Sequence, residues 1–95
     1  MSTVVITDWL ALRGEEQRVA ALLPALVESA LAEPGVLAFR AVRSRQDPAA
    51  FVLLAQYEDD AAAEAHRGGE RYLELVQGTI APYLIDRQAE TYSLI

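Results

Sequence analysis

The feature that most constrains this chain is a pair of strand-like segments that are apolar on both sides. Val36 to Arg45 puts Leu37, Phe39, Ala41 and Arg43 on one face and Val36, Ala38, Arg40 and Val42 on the other. Ala50 to Glu58 sets Phe51, Leu53, Ala55 and Tyr57 against Val52, Leu54, Gln56 and Glu58. Asp47-Pro48 marks the turn between them. A strand with one face in water alternates apolar and polar residues. Here both faces need cover.

The remaining segments cover one face. Thr3 to Leu12, rich in β-branched residues, reads as a first strand. It has Val4, Ile6, Asp8, Leu10 and Leu12 on one side and Val5, Thr7, Trp9 and Ala11 on the other. Gly14 ends it. Glu15 and Glu16 suit a helix first turn, and Val19, Leu22, Leu23, Leu26 and Ala30 follow at amphipathic spacing. Pro24 predicts a kink or a division of that helix, and Pro34-Gly35 its end. Asp59 or Asp60 suits the cap of a second helix, which Gly68-Gly69 interrupts. A further helical piece is expected over Glu70 to Thr79, with Tyr72, Leu75, Val76 and Ile80 at helical spacing, and a last strand over Arg87 to Leu94.

The order β-α-β-β-α-β is the ferredoxin-like plan. It gives an α+β fold with one antiparallel sheet and both helices on one face. Cover for the second face must come from outside the chain. A symmetric homodimer packing sheet on sheet supplies it economically. Each strand then buries about three more apolar side chains at roughly 1.5–3 kcal/mol apiece, which predicts an obligate contact.

Composition narrows the function by what it lacks. Ninety-five residues, 53% hydrophobic and 23% charged, suit one domain over 1–95 with a real core. There is no Cys, hence no thiol nucleophile or thiolate metal site, and no Lys, hence no Schiff-base chemistry. One His cannot supply a two-His metal triad. No phosphate-binding glycine motif occurs. The net charge of −6 argues against a nucleic-acid or anionic-membrane surface. No apolar run approaches the ~20 residues of a membrane span, and no signal-peptide pattern opens the chain. The expectation is a soluble cytoplasmic protein.

Several short motifs fall in order: Glu33-Pro34-Gly35-Val36, Asp47-Pro48 with Phe51, Gln56-Tyr57-Glu58-Asp59, Ala63 with His66, then Gly69, Arg71 and Tyr72. In spacing this resembles the antibiotic biosynthesis monooxygenase (ABM) family of the dimeric α+β barrel superfamily, over nearly the whole chain. The resemblance implies a dimeric α+β barrel. It also implies, as one activity of the family, oxygenation of quinols or anthrones without metal or flavin, so no cofactor is expected. The chain departs from the family pattern at Gly69, where Ser or Thr is frequent, at Arg71, where His is frequent, at Tyr72 in place of Phe and at Gln56 in place of Glu. The second family histidine is thus absent. Haem-degrading members need an axial His further along this helix, and Leu73 to Gln77 has none, which argues against haem.

The candidate site residues follow from chemistry and position. His66 is the one side chain whose ordinary titration lies near neutrality, so it is the candidate base, expected to open onto a pocket between helices and sheet. Tyr72 and Asp8 are the other candidate catalytic groups, the latter as a carboxylate in an apolar strand. Trp9, Phe39, Tyr57 and Arg71 are candidate contacts to a small aromatic substrate. Arg40 and Arg43 could anchor an anion or the partner chain, or stay solvated. Glu58-Asp59-Asp60 reads as a helix cap. Two other readings stand beside the monooxygenase: a binding or structural dimer without catalysis, and an isomerase or dehydratase using His66 and a carboxylate.

Overall fold

The structure is a computed structural model that describes Ser2 to Ile95. Its elements run β1 (Thr3–Ala11), α1 (Glu16–Leu31), β2 (Val36–Arg43), β3 (Ala50–Tyr57), α2 (Asp60–Arg67), α3 (Glu70–Tyr72) and β4 (Leu84–Ser93). Between α3 and β4 lie a π-helical run, Leu73–Ile80, and a short 3-10 turn, Ala81–Tyr83. The sheet has four strands in the order β2-β3-β1-β4, every neighbour antiparallel. This is the β-α-β-β-α-β plan that the hydrophobic periodicity implies. Among the described residues no helix is long and apolar enough to cross a membrane.

Register decides which side chains meet the helices. Trp9 stands opposite Phe51 on one side and Arg87 on the other, while Asp8 stands opposite Val52 and Gln88. The Trp9 row faces the helical layer. There Trp9, Ala11, Phe39, Phe51, Leu53, Ala55 and Tyr57 are buried against Val19, Leu23, Leu26 and Ala30 of α1, with Val76 and Ile80 beyond. The other face carries Val4, Ile6, Leu10, Val52, Leu54, Val42 and Tyr92 with nothing over them. Val42, Leu54 and Tyr92 stay 46%, 38% and 43% exposed, an apolar band without a cover in the single chain.

Four local features differ from the periodicity. The register of β2 against β3 slips between Val36 and Ala38, which brings Val36 opposite Tyr57 on the helix side and leaves Leu37 exposed. Pro24 does not divide α1, which is continuous across it. Pro24 faces outward while Leu23 and Leu26 are buried on either side, so packing holds the helix through the lost hydrogen bond. The segment after α3 winds as a π-helix, with the Ala81 N–H donating to the Val76 carbonyl five residues back. The last strand begins at Leu84, before the expected Arg87.

Two turns place α2. Asp59 caps it, its carboxylate accepting the Ala62 N–H at 2.9 Å. The Glu33-Pro34-Gly35 turn then lies directly against it. Gly35 has φ of +82°, and a Cβ there would come within 2.7 Å of the Ala62 Cβ. Its carbonyl also accepts the Glu58 N–H at 2.9 Å. Gly35→Ala therefore meets both a left-handed backbone and a packed helix, and should cost about 2–3 kcal/mol. Chemical denaturation of parent and variant checks this; equal midpoints would contradict the close approach.

Candidate functional site

His66 lies in the last turn of α2, where the first turn of the helix and the Gly35 contact fix its direction. Its side chain is 3% exposed. Nδ1 is 2.8 Å from the Glu33 Oε2, the carboxylate standing on the turn that ends α1. Three aromatic rings surround the imidazole: Phe39 and Tyr57 each at 5.6 Å between centroids, and Tyr72 edge-on at 4.9 Å. Nε2 is buried with no hydrogen-bond partner among the described residues.

A cavity that joins two of the candidate residues, Trp9 and Tyr72, lies on the other side of Tyr72. It is a chamber of about 240 Å³, wide open to solvent, between the β1–β4 half of the sheet and the π-helical run. Thr7, Trp9 and Arg87 form its floor, and Tyr72, Val76 and Gln77 its roof. The winding explains the roof. Tyr72, Val76 and Gln77 stand at i, i+4 and i+5, positions that share a face when the helix closes on i+5 rather than i+4. Arg87 Nη1 donates to the Gln77 Oε1 at 3.5 Å, linking floor to roof.

Burial sets the acid–base character of both tyrosines. It pushes the Tyr57 hydroxyl up to about 12, with Tyr72 and Glu33 adding to the rise. It also raises Tyr72, against the opposing pull of Arg87 and Arg67. Both therefore stay protonated at neutral pH, and Tyr72 is a hydrogen-bond donor at the chamber wall.

Trp9 and Tyr72 are thus brought together, and Phe39 and Tyr57 are brought to His66 instead of the chamber. His66 itself does not line this chamber, with three rings packed around it. Asp8 does not line this chamber: strand alternation puts it on the open face, exposed, where it borders a separate cavity of about 230 Å³ with Trp9, Arg43 and Asp86. Arg71 points away as well, 64% exposed in a 3.9 Å contact with Glu74. Arg40 is on the open face. Arg43 is structural, donating to the Pro48 carbonyl at 2.7 Å and the Gln17 Oε1 at 2.9 Å over the Phe51 ring.

The chamber's cation, Arg87, and its roof residue Gln77 escape sequence reasoning. Arg87 sits at a strand position fixed only by pairing with Trp9. A larger groove of about 800 Å³ runs along the β2 edge between α1 and Phe39. Its walls are mostly aliphatic, and its charged groups, Glu28, Arg40 and Arg43, include no candidate base or phenol, so it is less suited to chemistry.

The Tyr57 shift has a consequence for stability. Its pKa rises from 10.0 unfolded to about 12 folded, so folding favours the protonated form. That stability is fully present below pH 10 and is lost as pH climbs toward 12. Denaturant titrations across this window should show a decline that is shallower in Tyr57→Phe; identical slopes would contradict the burial of the hydroxyl.

The comparisons with known proteins agree with this architecture. A protein of Nitrosomonas europaea is 24% identical with a TM-score of 0.92, over 99% of this chain and 90% of that one. A Pseudomonas aeruginosa protein is 26% identical with a TM-score of 0.89, over 99% and 94%. A solved antibiotic biosynthesis monooxygenase is 26% identical with a TM-score of 0.87, over 100% and 99%. No curated protein matches the sequence. The family model described as antibiotic biosynthesis monooxygenase matches residues 1–78. The chain belongs to the antibiotic biosynthesis monooxygenase family.

Proposed function

We propose that this protein is a cofactor-independent monooxygenase acting on a small aromatic substrate of the quinol or anthrone class. The observation that carries this is the chamber in which Trp9, Tyr72 and Arg87 converge. At about 240 Å³ it is just below the usual range for ligand pockets, which favours a small quinol over an extended anthrone.

Each lining group has a role. Trp9, 3% exposed, reaches the lining with only the uncovered edge of its ring, and the substrate ring would meet it there. Arg87 holds positive charge where the quinol loses its proton, and Tyr72, kept neutral by burial, donates to the developing oxyanion. His66, behind Tyr72, is the base. The substrate anion is electron-rich enough to reduce dioxygen directly. A ring carbon–oxygen bond forms and the O–O bond breaks. One oxygen stays on the ring and the other leaves as water, so that quinol plus dioxygen becomes hydroxyquinone plus water. The protein contributes orientation.

We further propose that the open sheet face is covered by a second copy of the chain. The apolar band supports this, and so does the charge pattern across it. Glu90 and Asp86 lie at the β4 edge of that face and Arg40 at the β2 edge. Two sheets related by a two-fold axis can therefore bring acidic edge to basic edge. Sedimentation should find a dimer; a stable monomer at micromolar concentration would remove this element.

A binding dimer without catalysis is the second reading, favoured by the closure of His66 away from the chamber. Oxygen uptake with a panel of benzo- and naphthohydroquinones, corrected for autoxidation, separates the two. The monooxygenase reading expects turnover that falls by about 10²-fold in Arg87→Ala, the loss typical of one oxyanion-stabilising group, with Trp9→Ala weakening KM. Binding of the quinols without uptake would favour the second reading.

A further inference from the structure

The Glu33 carboxylate has no part in the chemistry above, and the His66 Nε2 has no partner. The two facts are connected. A carboxylate is an acceptor only, so the 2.8 Å contact requires the hydrogen to be on Nδ1. The neutral imidazole then carries its lone pair on Nε2, the atom that is buried and unpaired. A buried acceptor left without a donor costs roughly 1–3 kcal/mol, so its retention calls for an explanation. Of the three rings around it, Tyr72 alone also lines the chamber. One side chain therefore separates the lone pair from the cavity, and it stands where α3 passes into the π-helical run.

We propose that Glu33 is a positioning residue that fixes His66 in the Nδ1–H tautomer, so that Nε2 accepts the acidic hydrogen of a quinol whose entry displaces the Tyr72 ring. This rests on the chamber being the substrate site. The quinol O–H bond breaks and an Nε2–H bond forms. The products are a quinol anion beside Arg87 and an imidazolium paired with Glu33. That proton is later handed to the oxygen that leaves as water. The other titratable groups that face the pair are Tyr57 and Tyr72, with Arg67 close to both. Both phenols remain neutral at neutral pH, so the Glu33 carboxylate balances the imidazolium, as in other carboxylate–imidazole couples.

His66 is the only histidine in the sequence, so nitrogen-15 NMR of histidine-labelled protein reads one ring. Above the imidazole titration range the parent should show a protonated Nδ1 and a bare Nε2. Glu33→Ala should move the ring toward Nε2–H. Glu33→Gln, whose amide oxygen accepts the same bond, should keep it on Nδ1. A parent ring protonated on Nε2 overturns the proposal outright.

Anaerobic titration with methylhydroquinone should then shift the Trp9 indole and the Nε2 resonance together. Movement of Trp9 with Nε2 unchanged overturns the proposal and leaves the chamber reading intact. No movement of either at saturation of the solution sinks the chamber reading, and this one with it. In oxygen uptake, Glu33→Ala and Glu33→Gln should each lower kcat by about 10²-fold with KM little changed. An undiminished kcat in both overturns the assignment.

Discussion

The helical layer covers most of a four-stranded sheet but not all of it, and the rest of the structure depends on that shortfall. α1 packs mainly on β2, and Phe39, Phe51 and Leu53 are buried beneath the helical layer. The chain then has only three residues of α3 and the π-helical run to close the β1–β4 half, since α2 packs on β2 and β3. β4 is exposed along its length beyond Leu84. An incompletely roofed sheet has a gap, and the gap is the chamber beside Trp9. The wide winding of Leu73–Ile80 makes the most of a short segment, because it turns Tyr72, Val76 and Gln77 to one side.

The same geometry separates two kinds of aromatic residue. Phe39 and Tyr57 come from strands beneath α2 and are filled in around His66. Trp9 comes from the central strand beneath the gap, and Tyr72 belongs to both settings. Tyr72 thus touches both the buried imidazole and the cavity. Its hydroxyl stays a donor because burial raises its pKa. A phenylalanine at this position would pack equally well but could not donate.

How much of this can be read from the chain alone depends on which interactions set each feature. Alternation in β1 and β3 is a local property, so which residues of one strand share a face, as Phe51 and Tyr57 do, follows from residue types, while the side that Trp9 shares with them is set by the β1–β3 pairing. The slip at Leu37 depends on how β2 meets β3, so Val36 cannot be placed from its own segment. The same holds for Arg87, which reaches the chamber because β4 pairs with β1 at Trp9, a contact between distant parts of the chain. Arg71 shows the converse. Its neighbours in sequence suggested a site, but helical winding turns it to solvent beside Glu74.

Glu33 occupies an unusual position between these cases. Its motif is visible in sequence as the turn that ends α1, where the proline and glycine explain themselves by stopping the helix. The glutamate needs a different explanation, since a capping role at a helix C-terminus would favour a cation. An anion there adds to the negative end of the dipole, at a cost to the helix. The structure offers the compensation: Gly35 allows the turn to press on Ala62, and α2 then delivers His66 to within 2.8 Å of the carboxylate. Gly69 belongs to the same arrangement, since a Cβ there would stand 3.9 Å from the Glu33 Oε1. A serine at that position could add a donor to the carboxylate and compete with the imidazole for its charge. With glycine instead, the Glu33–His66 contact keeps that charge undivided. This makes the missing hydroxyl as informative about the pair as the residues that form it.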